Sequence, residues 1–372
     1  MTKLFIKWNR DIILLALALA ILAFSIITLI TKRENTKAVT LVFTHYWEGR
    51  EEILNTLKNE YEELHDEVKI IINYMPYAVY EKALCDSTSQ IWHGVNVLAL
   101  DAMQVPALME QQMIEPEIFP ILTFFYPLFY NTEILQKNGF NRPPKTRTEF
   151  LAQAKEIVDP ETGTYAIALA LGKDNTRGII RDIYSWICAS GVIAPAESSY
   201  LSALEFLAAL ESEGLTLPGT FLLGEEEKRQ AFIAGEIAFM IGTAEDMEML
   251  KASMGASFDY TAVPAPDAYL GKPVFASGAW TLGIPNGVTA GNHSASAHKE
   301  EALSFMAFLQ EHGQRLAQDW AIPENNSLSA VQDQFYSKAR ELYISGELAA
   351  ENPNLELRDT LLRLINNSLT YH

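Results

Sequence analysis

Two α/β lobes joined by extended crossings are predicted by three features of the sequence. Strand-like and helix-like apolar patterns alternate from Val39 to Leu100. A short apolar run, Ile237 to Ile241, is followed at once by a turn and a capped helix, and then by Pro264 and Pro266. Proline cannot sit inside a central strand, so this pair marks a crossing between two bodies. The chain of 372 residues, 49% hydrophobic and 20% charged, is long and apolar enough for two cores.

From the N-terminus, Lys3, Lys7 and Arg10 precede an uncharged apolar run from Ile12 to Ile30. As a helix this run is about 28 Å long, against a bilayer core of about 30 Å. No lipid-modifiable cysteine follows it, so it is read as an uncleaved transmembrane anchor with the N-terminus inside. After a linker, Thr31 to Lys37, the pattern reads as a strand at Val39 to Phe43, a helix through Ile53, Leu54, Leu57, Tyr61 and Leu64, and a strand at Val68 to Ile72. A further helix and a strand at Val95 to Leu100 complete it. Such alternation predicts a parallel sheet with helices on both faces, and ligands bind beyond the carboxyl ends of such strands. Those ends are Thr44 to Glu48, Tyr74 and Asp101. There Tyr46 and Trp47 offer flat faces for a sugar ring, while Glu48 and Asp101 can accept hydrogen bonds from hydroxyls. Packing at the loop root is the competing reading for Trp47. His45 and His93 stand alone in the sequence and are read as structural.

Further on, Thr146 and Glu149 form a capping box for a helix with Phe150, Leu151, Ala154, Ile157 and Val158 on one face. Ala166 to Leu171 reads as a buried strand. The helix Arg177 to Ala189 carries Ile180, Ile183, Tyr184 and Ile187 on one face, with Trp186 either flanking the core or forming an aromatic lip of a cleft. Ser198 to Glu213 is amphipathic. A charged helix then closes at Gly235, which supplies a left-handed residue. Thr243 caps the helix Ala244 to Lys251 after the Ile237 to Ile241 strand. Lys299 to His312 is a helix with a broad apolar face.

Phe232, Gly235, Gly242, Pro264, Pro266, Ser277, Gly278 and Trp280 stand in an order that resembles the extracellular solute-binding proteins of bacterial carbohydrate ABC importers, the maltose-binding-like family. The run from Phe129-Tyr130-Asn131 through Pro143-Pro144 to Glu149 is similar to the same family. The resemblance implies a periplasmic-binding-protein type II fold. Residues 1–37 would be cytoplasmic stub, anchor and linker, residues 38–122 and 264–318 lobe 1, and residues 123–263 and 319–372 lobe 2. Crossings near Thr123 to Phe129, Tyr260 to Pro266 and Asp319 to Asn325 would frame an interlobe cleft that closes by a hinge on a sugar or related polar solute. The expected ligand contacts are Tyr46, Trp47, Glu48, Asp101, Trp186, Glu245, Ser277, Gly278, Trp280 and Trp320. The family further implies permease subunits and an ATPase as partners, no cofactor, and a globular domain on the periplasmic or extracellular side of the inner membrane. Two departures stand out. The segment from Glu115 to Tyr130 is shorter than the family's, and Arg147 replaces its usual tryptophan.

Composition closes off other classes. Forty-seven acids against 28 bases leave a net charge of −19, contrary to the basic surface that nucleic acid requires. Cys85 and Cys188, expected as buried thiols in separate lobes, lack metal-ligand spacing and are not expected to pair. No nucleophile elbow, zinc motif or phosphate loop is present, so no catalytic residue is assigned. Glu48 and Asp101 as a glycosidase pair is the enzymatic alternative. A tethered sensor for a signalling membrane partner is the other.

Overall fold

The computed structural model describes residues 39–172, 176–191, 197–286, 293–317, 322–323, 338, 341–342, 345–350 and 356–369. The predicted membrane span, Ile12 to Ile30, and Trp320 lie outside them. Among the described residues, no helix is long and apolar enough to cross a membrane. The chain divides into two compact units, one running to Val97 and including Gly287–Phe305, the other comprising Leu98–Asn286 and the residues from Met306 onward.

The first unit contains β1 (Val39–His45), α1 (Glu51–Leu64), β2 (Val68–Tyr74) and α2 (Tyr77–Cys85). β1 and β2 pair in parallel, with Val39 opposite Val68 and His45 opposite Tyr74. Side chains alternate across a strand, so Leu41, Phe43, Ile70 and Ile72 share one face, and Val42, Thr44, Ile71 and Asn73 the other. α1 lies against β2 and buries Leu54, Leu57 and Tyr61. Phe305 meets both Phe43 and Tyr61 edge-on. Glu62 Oε1 accepts the backbone N–H of Ile70 at 2.7 Å, which blocks part of the strand edge against further pairing. Cys85 is exposed, contrary to expectation, because it ends a short helix whose buried residues are Tyr80 and Leu84.

The second unit holds two sheets. Its chain continues through β3 (Val97–Asp101), α3 (Val105–Glu110), β4 (Phe119–Phe125), β5 (Leu128–Asn131), α4 (Thr132–Lys137), α5 (Arg147–Ile157), β6 (Tyr165–Ile167), α6 (Thr176–Cys188) and α7 (Glu197–Ser212). Then come α8 (Glu225–Ile233), β7 (Ile237–Ile241), α9 (Ala244–Met254), β8 (Phe258–Thr261), β9 (Val274–Gly283), α10 (His293–Glu311), which belongs to the first unit as far as Phe305, α11 (Gly313–Ala317), β10 (Ile322–Pro323), β11 (Glu347–Ala350) and α12 (Glu356–Leu369). One sheet takes the order β10-β4-β9-β3, with β11 parallel to β9; the other is β6-β7-β5-β8. The parallel pairing read from the alternation holds for β1 and β2, while β3 pairs antiparallel with β9, a strand from outside that stretch. The cause lies far along the chain: β9 returns from the other sheet and reaches β3 and β4 without a helical crossover.

Local chemistry explains the element boundaries. Thr146 Oγ1 accepts the N–H of Glu149 at the start of α5. Its partner carboxylate is held by Arg142 and the Lys145 N–H, which together draw Glu149 down to about 2. Thr243 and Asp246 cap α9 reciprocally, and Gly235 follows α8 with φ +73°. The expected strand Ala166 to Leu171 is paired only over Tyr165–Ile167. Beyond it, Leu169 N–H donates to Thr220 Oγ1 and Ala170 N–H to the Asp182 carboxylate, so side chains replace a neighbouring strand.

Among the described residues, two connections join the sheets of this unit. Between β4 and β5 only Tyr126 and Pro127 intervene; Tyr126 N–H donates to Ala276 O, and Pro127 O accepts from Gly242 N–H. The longer connection, from β8 to β9, is fastened to α5. Ala265 exchanges backbone hydrogen bonds with Lys145 and Arg147, and Asp267 accepts from Thr148 Oγ1 at 2.8 Å. Tyr269 then lies over Gly191, where a Cβ would stand 1.8 Å from its ring.

Candidate functional site

At the carboxyl end of β1 the chain runs Thr44-His45-Tyr46-Trp47 before the exposed Glu48 and the left-handed Gly49 turn it into α1. Trp47 is 0% exposed and meets Phe43 edge-on at 5.8 Å; the Tyr46 ring lies 5.1 Å from Tyr77 and 5.2 Å from Tyr80. Both aromatics therefore face protein, and Glu48 is the member of the predicted trio that reaches solvent. His45 is buried among Phe43, Trp47 and Tyr74. Burial lowers it to about 4, against the opposing pull of Glu51.

On the Val42, Thr44, Ile71 and Asn73 face lies a groove of about 730 Å³, walled by the segment Ser89 to Val95. Its lining reaches Tyr74 and Met75 at the carboxyl end of β2, where the sequence marked Tyr74. Thr44 is 2% exposed, and its hydroxyl has no hydrogen-bond partner. No Asp, Glu, Lys or Arg lines the groove.

In the second unit, β3 and β9 bring four predicted contacts together. Asp101 stands opposite Trp280, and Gly278 and Ser277 stand opposite Phe124 and Phe125. Asp101, Ser277 and Trp280 are all buried. Glycine is needed at 278, since a Cβ there would approach the Tyr126 hydroxyl to 2.5 Å and Phe124 to 2.7 Å. Arg181, which the sequence reading did not single out, extends its guanidinium over the Tyr126 ring at 5.3 Å. It escaped notice because an arginine in an amphipathic helix reads as solvent-facing, yet this one is 6% exposed. Trp186 is also buried, packed between Phe150 and Phe206 with its carbonyl accepting from Arg147 at 2.7 Å. That places it inside the core of α5, α6 and α7. The same contact shows how Arg147 is accommodated in this core. Glu245 stands in the first turn of α9.

A second unforeseen feature is a buried ion pair. Lys228 Nζ lies 2.8 and 3.0 Å from the two oxygens of Asp182, and 3.0 Å from Glu225 Oε2, with both members of the pair at most 1% exposed. Burial alone would lower Lys228, but Asp182 and Glu225 outweigh it and raise the ammonium's affinity for its proton. Among the described residues, no group of three His, Cys, Asp or Glu side chains could hold a metal ion.

Comparison with known proteins agrees with this architecture. A sequence profile described as bacterial extracellular solute-binding protein matches residues 50–315. A Deinococcus radiodurans protein named as a probable ABC transporter-binding protein is 26% identical over 233 residues, 57% of this chain and 53% of that one. The chain thus spans about half the length of the curated relatives it matches. Among solved structures, an ABC transporter solute-binding protein from Thermotoga lettingae bound with α-D-tagatose superposes with a TM-score of 0.68 at 18% identity, over 90% of this chain and 95% of the other. The GacH receptor of Streptomyces glaucescens, studied with acarbose, gives 0.66 at 16% identity, over 88% and 93%. These likenesses are of fold.

Proposed function

The chain belongs to the bacterial extracellular solute-binding proteins, and from that premise we propose that it captures a sugar or related small polar solute and hands it to the permease of an ABC importer. It is a binding protein, not an enzyme. The observation that carries the proposal is the family match over residues 50–315, together with two sheets joined through a two-residue connection at Tyr126 and Pro127. Structural neighbours that hold tagatose or acarbose support a carbohydrate as the solute.

In this reading, residues 38–122 with 264–318 close against residues 123–263 with 319–372. A ligand touching both lobes favours the closed state through its differential affinity. Glu48 accepts hydrogen bonds from ligand hydroxyls, as do Asp101 and Ser277 when the lobes part, and Gly278 lets the ligand approach the backbone. Trp47, next to Glu48, and Trp280, opposite Asp101, support these groups by packing, while Trp186 stiffens the core of α5, α6 and α7. The run Ile12 to Ile30 tethers the domain to the inner membrane, with the permease and its ATPase as partners there.

A thermal-shift screen of the full chain across sugars and sugar alcohols tests capture. One compound or a few related ones should raise the melting temperature, with saturable binding by calorimetry; a folded protein that binds none of them overturns the proposal. Intact mass of the protein from the membrane fraction tests the tether. A chain beginning after Ser25 excludes it.

A further inference from the structure

We propose that Asn138 is a conditional modification site: it is inert while α4 is wound, and when α4 opens it loses its side-chain amide to attack by the Gly139 nitrogen and becomes aspartate or isoaspartate. This chemistry needs no ligand and stands apart from solute capture. Asn-Gly pairs occur twice in the chain, at Asn138-Gly139 and Asn286-Gly287. The first of them closes α4, and the way that helix ends fixes every group involved.

α4 has six residues and stops in a Schellman turn. Gly139 N–H donates to Gln136 O at 3.0 Å and Phe140 N–H to Leu135 O at 2.9 Å, with Gly139 at φ +83°. Glycine takes that φ without strain, and having no side chain it also leaves its nitrogen unshielded. Asn138 Nδ2 donates to Ile134 O at 2.9 Å, one of the carbonyls that a helix end leaves over. The two residues that stop the helix are therefore the two that can react with each other.

In the reaction the Gly139 nitrogen gives up its proton to solvent and bonds to Asn138 Cγ, the Cγ–Nδ2 bond breaks, and the side-chain nitrogen departs with a proton as ammonia. Water then opens the cyclic imide at Cγ, giving aspartate, or at the main-chain carbonyl, giving isoaspartate. The wound helix blocks the first step. Attack requires turning the peptide between residues 138 and 139 away from the Asn138 ψ of 13°, which breaks the Gly139 bond to Gln136, and swinging the amide off Ile134 O. Crowding is not the obstacle, since among the described residues nothing stands within 4 Å of where a Gly139 Cβ would be. The obstacle is the set of hydrogen bonds, and so short a helix opens at less cost than the whole fold.

The product cannot rewind the turn. Aspartate has no N–H for Ile134 O and sets a negative charge against the carbonyl end of the helix, while isoaspartate lengthens the main chain by a carbon. α4 packs on β5 and β8, so the lesion falls on the sheet entered through Tyr126 and Pro127.

The full chain is incubated in native buffer and in urea, and amide loss at Asn138 is followed by peptide mapping with mass spectrometry, which separates it from Asn286. Loss is expected in urea, and at least about tenfold more slowly in native buffer. Asn131 caps the other end of α4, its Oδ1 accepting from the N–H groups of Glu133 and Ile134 at 3.0 Å. Asn131→Ala should speed native loss at Asn138 about fivefold, the size of a lost cap, and Asn131→Ser should keep the wild-type rate. In the wild-type chain the rate should also rise in urea too dilute to unfold the protein, a measurement that needs no variant to fold. Asn138→Gln, whose longer side chain closes the ring far more slowly, should retain its amide. Equal rates in native buffer and urea, a rate that follows global unfolding alone, an unchanged rate in folded Asn131→Ala, or equal loss in Asn138→Gln overturns the proposal.

Discussion

His45 and Gly191 show how single positions carry conditions for stability. The imidazole of His45 binds its proton at about 4 when folded and near 6.5 when unfolded, because burial disfavours the charged ring. The unfolded state therefore holds more protons between these values, and stability falls as pH drops from about 6.5 towards 4. The full shift is worth about 3 kcal/mol. His45→Gln should flatten the acid limb of melting temperature against pH; an unchanged slope would mean that the ring is protonated in place. At Gly191, φ is +87° and the Tyr269 ring fills the space a Cβ would take. Gly191→Ala should cost roughly 1 to 3 kcal/mol in urea unfolding. Adding Tyr269→Ala should cost less than its effect in the wild type, since the contact is already lost.

Among the elements, α6 and α8 are joined by the buried Asp182–Lys228 pair. Lys228→Met leaves a carboxylate uncompensated in the interior, and a loss of about 3 to 5 kcal/mol is expected. Lys228→Met with Asp182→Leu should recover much of it, as measured by thermal or urea melts of both variants. Neither partner was legible as buried: Lys228 sits in Glu-Glu-Glu-Lys-Arg, which reads as a solvated helix face. The helix boundaries were legible, because Thr146, Thr243 and Gly235 act on backbone groups within a few residues of themselves. The pairing of β3 with β9 was not, since it joins segments far apart in the chain. For the candidate site, the sequence marked the carboxyl ends of β1 and β2, and Thr44 and Tyr74 there line the groove. It could not tell that Trp47, Trp186 and Trp280 are enclosed, because an aromatic at a strand end packs or stacks according to neighbours that only the fold supplies.

At the scale of the whole molecule, the two thiols separate in reactivity. Burial pushes Cys188 up to about 12, while Cys85 is exposed. One cysteine should label rapidly in native buffer and the second only in denaturant; two fast sites would place Cys188 at a surface. The connections between the sheets of the second unit carry a further consequence. Tyr126 is bonded on its N–H side to β9, and Pro127 on its carbonyl side to Gly242. In the other connection, Lys272 O accepts from the Tyr269 hydroxyl at 2.6 Å, while Pro273 O accepts from Glu347 N–H in β11. Each allegiance changes across a single peptide bond, and in both the next residue is proline, which has no N–H to forge a bond across the joint. The stretch from 262 to 272 is thus ballast carried by α5, and in the closure proposed above these two joints are where the sheets of this unit would turn. Amide exchange at Ala265 and Tyr269 should accordingly keep time with α5, and exchange at Ala276 with β4.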